Sequence, residues 1–478
     1  MASSQNWEMV IGLEVHAELS TKSKIFCSCS TEFGASPNTN VCPGCAAHPG
    51  TLPVLNRAVV EYALKLGIAL NCDITPICKF DRKNYFYPDL SKAYQTSQLH
   101  APICRNGGLD IGSKFIRLHQ IHMEEDAGKL VHDPRGSGTF IDYNRGGIPL
   151  LEIVSQPDFS SADEVIAYLE KLREILLYLD ICDCKMQEGS MRADVNLSVR
   201  PVGATEFGTR TETKNLNSFK AIARAIEYER ERQIDILEEG GKVIQETRRW
   251  DDDKGESYGM RSKADAQDYR YFPDPDLPSI QISEKWLEEI KKSLPELAHQ
   301  KRERYTKDFQ ISGIDAGILT GHKNISNLFE TLSDKTKQPR ESANLITGEI
   351  MRLMNNNNTL PEDLAVNVDK LAILIELVKD GKINRSAYKE TVEEVYTNDI
   401  DPQKYIEEKG LMMVSDTSAI TSLVDEVIAA NPSAIEDYKA GKQKAFGFLV
   451  GQVMKQLGGS GNPNMVKDEM VKRLGQVK

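Results

Sequence analysis

The stretch EMVIGLEVHAEL, residues 8 to 19, alternates apolar and polar side chains with the period of a strand that has one dry and one wet face. SMRADVNLSVR (190 to 200) and TRTETKNLN (209 to 217) do the same. Helical periodicity separates them, in NRAVVEYALKLGIAL (56 to 70), ADEVIAYLEKLREILLYL (162 to 179) and FKAIARAIEYERERQIDIL (219 to 237). Strands mixed with helices, without regular alternation, predict an α+β domain with a mostly antiparallel sheet. The segment YFPDPDLP, 271 to 278, holds three prolines and reads as a rigid connection leaving that domain. Beyond it ISNLFETLSD, ESANLITGEIMRLMN, VDKLAILIELVKDG and RSAYKETVEEVYTN are helical, with Asp380-Gly381 as a helix stop. NNNNT, 355 to 359, reads as a loop, and GGSGNP divides two amphipathic helices near the end.

A chain of 478 residues is long enough for about two to four domains. No apolar run approaches the ~20 residues of a membrane span. The start, MASSQNWEMVIGLEVH, has neither the basic and apolar regions of a signal peptide nor an Arg-rich transit helix, so a cytoplasmic protein is expected. The net charge of -12 argues against a non-specific nucleic-acid coat. Residues 436 to 478, however, carry eight Lys/Arg against four Asp/Glu, a net of +4, which leaves -16 on the rest. An acidic body with a basic tail suggests two surfaces with different partners.

The nine cysteines are an odd count, and four fall in the first 45 residues, so reduced thiols are expected, some of them holding a metal. Cys27-Ser-Cys29 and Cys42-Pro-Gly-Cys45 are two close pairs on turn-rich segments, able to present four thiolates tetrahedrally to zinc. A closed four-cysteine site is structural. Cys182 and Cys184 repeat the tighter spacing without a second pair nearby and read as core.

Acids recur on the alternating segments. Glu14 and His16 share one strand face; so do Arg192, Asp194 and Asn196, and so do Glu212 and Lys214. Glu152 interrupts the apolar run IPLLEIV, and HMEEDAGK sets Glu124, Glu125 and Asp126 side by side. Carboxylates on neighbouring strands, with one imidazole, suit a hard divalent cation such as magnesium, whose shell water and phosphate complete. Wet strand faces also carry acids without any ligand. On a strand Glu125 faces opposite to Glu124 and Asp126, so the three do not all face one cation. In KFDRKNYFYPDLSKAYQTSQ, 79 to 98, basic residues alternate with Tyr85, Phe86, Tyr87 and Tyr94. The segment suits either stacking on an unpaired base or a packed hairpin edge. P-loop, dinucleotide-fold and serine-hydrolase signatures are missing, so any use of ATP must run through metal-bound phosphates on a sheet.

Taken together, IGLEVH, FDRKNYFYPDL, HMEEDAGK, GIPLLEIVSQPD, KMQEGSMRADVN, KNLNSF, ETRRW, DYRYFPDPDLP and FLVGQVMK resemble the B subunits of aspartyl/glutamyl-tRNA amidotransferases. They run in order over nearly the whole chain. Ser91 and Ala93 stand where many members have Pro and Gly, which touches only a local turn. The resemblance implies a glutamine synthetase-like cradle domain at 1–292 with a zinc-binding insert at 25–48, a helical domain at 293–410 and a tRNA-binding helical tail at 411–478. It implies a glutamine-hydrolysing, carbon–nitrogen ligase acting on Glu-tRNA(Gln) and/or Asp-tRNA(Asn). ATP and Mg2+ phosphorylate the side-chain carboxylate, and ammonia from a separate amidase, the A subunit, displaces the phosphate. The small C subunit makes up the heterotrimer. The late inserted domain of an archaeal relative has no room here, which favours the three-subunit type.

On this basis Glu14, His16, Glu125, Glu152 and Asp194 are the expected magnesium ligands or their supports, Glu124 comes next, and Lys129, Arg192 and Lys214 are the expected phosphate contacts. Zn2+ is expected on Cys27, Cys29, Cys42 and Cys45. Two rivals are an ATP-dependent ligase for a free amino acid, which would not need the tail, and a zinc-bearing tRNA adaptor without catalysis, which would not need the acids.

Overall fold

The computed structural model describes residues 6–133, 135–136, 138–262, 268–413, 417–439, 442–457 and 463–475. The chain divides into two compact units, Met1–Leu297 and Ala298–Lys478. The α+β class and the mostly antiparallel sheet expected from the alternation are present in the first.

The long strands of unit one are β1 (Trp7–Glu18), β2 (Phe115–Glu125), β3 (Pro149–Ser155), β4 (Met191–Pro201), β5 (Thr211–Lys214), β6 (Glu246–Asp251) and β7 (Glu256–Ser262). In space they run β7-β6-β5-β4-β1-β3-β2, continued by Cys104–Arg105 and Asp73–Ile74. The long neighbours are antiparallel except β5 with β6. Central β1 shows why the sheet has two characters. Ile11, Leu13, Val15 and Ala17 are buried, while Glu14, His16 and Glu18 on the other face are half-buried.

The dry face takes the helices α1 (Arg57–Ala69), α2 (Ala162–Tyr178) and α3 (Phe219–Glu238). Thr211 stands opposite Leu197, which stands opposite Ile11, and the Thr211 hydroxyl donates to Glu229 of α3 at 2.7 Å. All three helices start on side-chain caps: Asn56, Ser161 and Ser218 accept from the backbone N–H of Ala58, Glu164 and Ala221. Helices on one face leave the other open, and the polar residues of the strands line it.

Two expectations are corrected. The proline-rich segment 271–278 is not a connection leaving the unit. Phe272–Pro273 pairs with Asp81–Arg82 of the hairpin Asp81–Asn84/Tyr94–Ser97, and Ile280–Gln281 pairs with Ile77–Cys78. Proline fits there because these are two-residue edge pairings that need few donors. The helix Glu284–Ser293 then packs on α1, with Arg57 over the Trp286 ring at 5.1 Å. The second correction concerns NNNNT. The helix Met351–Asn357 includes most of it, and Asn358 closes the helix in the left-handed conformation that asparagine tolerates.

In unit two, one apolar cluster runs from Tyr305 to Ile406 and another from Ile420 to Leu474. The helices Lys323–Thr336, Val368–Lys379 and Arg385–Asn398 contain the stretches expected to be helical, and Gly381, with φ +64°, follows the Asp380 cap. Between Asn344 and Met351 the helix widens to a π turn, Leu345–Ile350. Residues 458–462 of the expected GGSGNP break lie outside the described residues, and helices Gln443–Gln456 and Pro463–Leu474 flank them.

Candidate functional site

The wet face of unit one gathers the acids through strand register. His16 stands opposite Glu152 on β3 and Arg192 on β4, Glu14 opposite Asp194, and Glu152 opposite His122 on β2. His16 Nε2 lies 3.3 Å from Glu124 and 3.5 Å from Glu152. His122 Nε2 lies 3.0 Å from Glu152 and 3.6 Å from Glu124. A second group forms beside it from Glu14, Asp194 and Glu212, with Asn196 donating to Glu14 at 3.0 Å. In each of the trios His16/Glu124/Glu152 and Glu14/Asp194/Glu212, one ligand atom per residue lies within 4.8 Å of the other two.

Electrostatics divide the two groups. Burial opposes charge on His16 and His122, yet Glu124 and Glu152 outweigh it and raise the imidazoles to about 10 and about 9. In return, and again against burial, the two histidines hold Glu124 down at about 2. Glu14 is pushed up, first by burial and then by the neighbouring Glu152. In the second group Lys214 pairs with Asp194 and, at 2.6 Å, with Glu212. Without a divalent ion, two imidazoliums balance Glu124 and Glu152, whereas in the second group a single ammonium faces three acids.

The donor chemistry fits a divalent cation. Three protein ligands per trio leave positions for water and phosphate oxygens, as magnesium prefers. Metal ligation requires neutral imidazole. A raised histidine contributes stability that is full below about 6.5 and is lost as pH climbs through 9 to 10, whereas Glu124 contributes above about 4.5 and loses its share as pH falls toward 2. We therefore expect magnesium or manganese binding at neutral pH to release protons and to tighten as pH rises. Calorimetry in buffers of different ionisation enthalpy measures this directly; the same heat in every buffer would refute it.

The other expected residues are placed as follows. Glu125 does not join the histidines. Its carboxylate takes Lys92 and the backbone N–H of Thr96 (2.8 Å), and it lines a cavity of about 250 Å³ with Lys24, Cys45 and Asp274. The physical reason is strand parity: His122 and Glu124 share a face and Glu125 takes the other. Asp126 pairs with Arg145 at 2.5 Å and Arg192 at 3.4 Å. Arg192 and Lys214 thus reach the wet face already paired. Lys129 is exposed on the ribbon Lys129–His132/Thr139–Asp142 and makes none of the contacts of the trios. His122 and Glu212 were not among the expected ligands. Their signals were the two-residue spacing to Glu124 and to Lys214.

The four cysteines Cys27, Cys29, Cys42 and Cys45 bring their sulfurs within 4.8 Å of one another, and all four are free thiols. Cys29 and Cys45 are 4.0 Å apart. Four thiolates tetrahedral about zinc sit about 3.8 Å apart, so the set fits with little movement. The Cys45 thiol is pushed down to about 4 by the hydrogen bond from Cys27, the Cys42 backbone and Lys24. Cys182 and Cys184 are buried.

Among the described residues no helix is long and apolar enough to cross a membrane. The GatB/GatE catalytic domain family matches residues 9–288, and the GatB domain family matches residues 327–474. A protein of Lachnoclostridium phytofermentans described as the B subunit of aspartyl/glutamyl-tRNA(Asn/Gln) amidotransferase is 58% identical over 97% of this chain and 98% of its own length. Proteins of the same description from Agathobacter rectalis and Caldicellulosiruptor bescii are 55% and 53% identical, each over 98% of this chain and 100% of their own lengths. These matches span both units, and the chain therefore belongs to the family of aspartyl/glutamyl-tRNA(Asn/Gln) amidotransferase B subunits.

Proposed function

We propose that this chain activates the side-chain carboxylate of Glu or Asp misacylated on tRNA(Gln) or tRNA(Asn) and converts it to the amide. The observation that carries the reading is the pair of three-ligand groups side by side on one sheet face. A carboxylate resists amidation because oxide is a poor leaving group. Transfer of the γ-phosphoryl group of ATP to that oxygen breaks the bond to ADP and forms an acyl phosphate. Ammonia then adds to the carbonyl carbon, the carbon–oxygen bond breaks, and phosphate leaves with a proton lost from nitrogen. Such transfer depends on positioning and on neutralising phosphate charge.

Glu14, His16, Glu124, Glu152, Asp194 and Glu212 would hold the magnesium ions, with His122 fixing Glu152 and Glu124 from the second strand. Magnesium bound there would neutralise the phosphate oxygens. Lys214 pairs with Asp194 and Glu212; a divalent ion on those acids would free its ammonium for a phosphate oxygen. Arg192 stands opposite His16 for the same use. Glu125 acts one step away, by fixing Lys92. We assign catalysis to 1–292, with zinc in the insert at 25–48, and tRNA contact to 293–410 and 411–478. The +4 charge of residues 436–478 supports the last assignment. Ammonia would come from the amidase, or A, subunit, and the small C subunit would complete a cytoplasmic heterotrimer.

The test is glutamine-dependent Gln-tRNA formation, with ATP and magnesium, by this chain alone and co-purified with the A and C subunits. Product from the assembly and none from the chain alone is the expected result. tRNA binding without ATP cleavage in any combination would overturn the reading in favour of an adaptor.

A further inference from the structure

The aromatic residues of 79–98 and of the strap 269–273 have no role in the chemistry above, yet they converge beside it. Asn84 donates its backbone N–H to Tyr269 O at 2.9 Å, which ties strap to hairpin. Tyr85 and Tyr269 meet edge to face at 5.8 Å, and Tyr269 and Tyr271 do so at 6.2 Å. Edge contacts leave ring faces available to a flat ligand. The ammonium of Lys83 stands 5.0 Å from the Tyr269 ring centre and 5.8 Å from that of Tyr85, and makes no ion pair among the described residues. The group adjoins the acids. Ser97 of the hairpin contacts Glu124 at 3.4 Å, and the charges of Glu124 and Glu152 act on the Tyr271 phenol, which burial has already pushed up. Next along the chain, Phe86 is 77% exposed and Tyr87 is 53% exposed.

The substrate chemistry says what must lie there. In a misacylated tRNA, four carbon–carbon bonds of about 1.5 Å each separate the Glu side-chain carboxyl carbon from the ester carbonyl on the terminal ribose. If that carboxylate reacts at the acid trios, the terminal nucleoside is confined to their immediate border. A terminal base drawn to that border and parted from its stack needs a new partner for its faces. Unstacked bases are received on aromatic faces, with a cation for the phosphate.

The geometry points to Tyr85, Tyr269 and Tyr271, with Lys83, as the seat of the unstacked 3′-terminal nucleotide of the substrate RNA: the base lies against a tyrosine face and its phosphate meets Lys83. The open flank at Phe86 and Tyr87 suits a polymer end that must enter and leave. An ATP adenine ring is normally enclosed by apolar walls. The inference rests on the amidotransferase reading, and these are positioning residues that act through the placement of the ester.

The experiment is steady-state kinetics of the complete assembly with Glu-tRNA(Gln) and ATP varied separately. Tyr269→Ala should raise KM for Glu-tRNA(Gln) by roughly 5- to 150-fold, the loss of one base stack, and leave KM for ATP unchanged. Tyr269→Phe, which keeps the face, should restore the wild-type KM. Lys83→Gln should flatten the salt dependence of tRNA binding by about 0.7 in log–log slope, the value for one single-strand phosphate. A rise in KM for ATP but not for tRNA would assign the seat to the ATP adenine and overturn the proposal, as would unchanged constants in Tyr269→Ala and Lys83→Gln. Failure of the wild-type assembly to form Gln-tRNA would instead sink the amidotransferase reading.

Discussion

Glu124→Gln will lower ATP-dependent Gln-tRNA formation by the complete assembly by about 10²–10³-fold, the order of effect when one preorganised electrostatic contact of an active site is lost, because Glu124 would help to hold the cation that neutralises the phosphate. Its affinity for tRNA should stay within about twofold, because uniform losses of tRNA affinity come from phosphate contacts, and Glu124 offers none. Glu124 is only 3% exposed and touches both histidines. The amide keeps the shape and removes the charge that holds two imidazoles protonated in the metal-free protein. Replacement by alanine would also leave buried imidazolium short of a partner and cost about 3–5 kcal/mol of stability, so the glutamine variant is the cleaner test. Glu125→Gln should behave differently. It faces the cavity beside Lys92, so it should leave manganese affinity unchanged and lower the rate less than Glu124→Gln. Kinetics and manganese titration of the two variants check the pair. An intact rate in Glu124→Gln would contradict the site.

Cys45→Ser will empty the four-cysteine site, taking zinc from one equivalent per chain to none, as atomic absorption will show. A structural zinc has about 10–16 kcal/mol of apparent binding free energy at neutral pH, comparable to the ~5–15 kcal/mol that holds a typical domain folded. The loss should therefore unfold the insert locally, and limited proteolysis should cut within residues 25–48. The effect should spread, because Ser91 of the hairpin loop donates to the Cys45 carbonyl at 2.8 Å and Lys24 donates to the Tyr143 carbonyl at 3.0 Å. That loop also contains Ala93 in the left-handed conformation, φ +60°, which strains a non-glycine residue and makes the turn easier to lose. A zinc-free wild-type chain, as resistant to protease as Cys45→Ser, would contradict a structural zinc.

Strand and helix periods made much of the fold legible. The stretches 56–70, 162–179 and 219–237 contain or nearly coincide with α1, α2 and α3. The cause is local: each has a side-chain cap and an apolar stripe at helical spacing. The proline strap reads as a connection in sequence because prolines signal a break in chain direction but do not say what the segment lies against. The site was legible in one dimension. Alternation aligned Glu14 with His16 along β1, and Arg192 with Asp194 along β4. It could not say that His16 faces Glu152 or that Glu14 faces Asp194, because register between strands far apart in sequence depends on the whole sheet. Strand parity sets Glu125 on the face opposite His122 and Glu124, where its carboxylate meets Lys92. In sequence His122 looks like the flank of three acids, although its spacing to Glu124 sets both on one face.

The central claim is that the side-chain oxygen of the esterified amino acid is the one phosphorylated. The most direct measurement supplies the complete assembly with Glu-tRNA(Gln) carrying ¹⁸O in its side-chain carboxylate, unlabelled ATP and glutamine, and reads the released phosphate by mass spectrometry. One ¹⁸O in the phosphate for each Gln-tRNA formed is the predicted result, since carbon–oxygen cleavage by ammonia leaves that oxygen on phosphorus. Gln-tRNA formed with unlabelled phosphate would contradict it, because the side-chain oxygen would then not have received the γ-phosphoryl group.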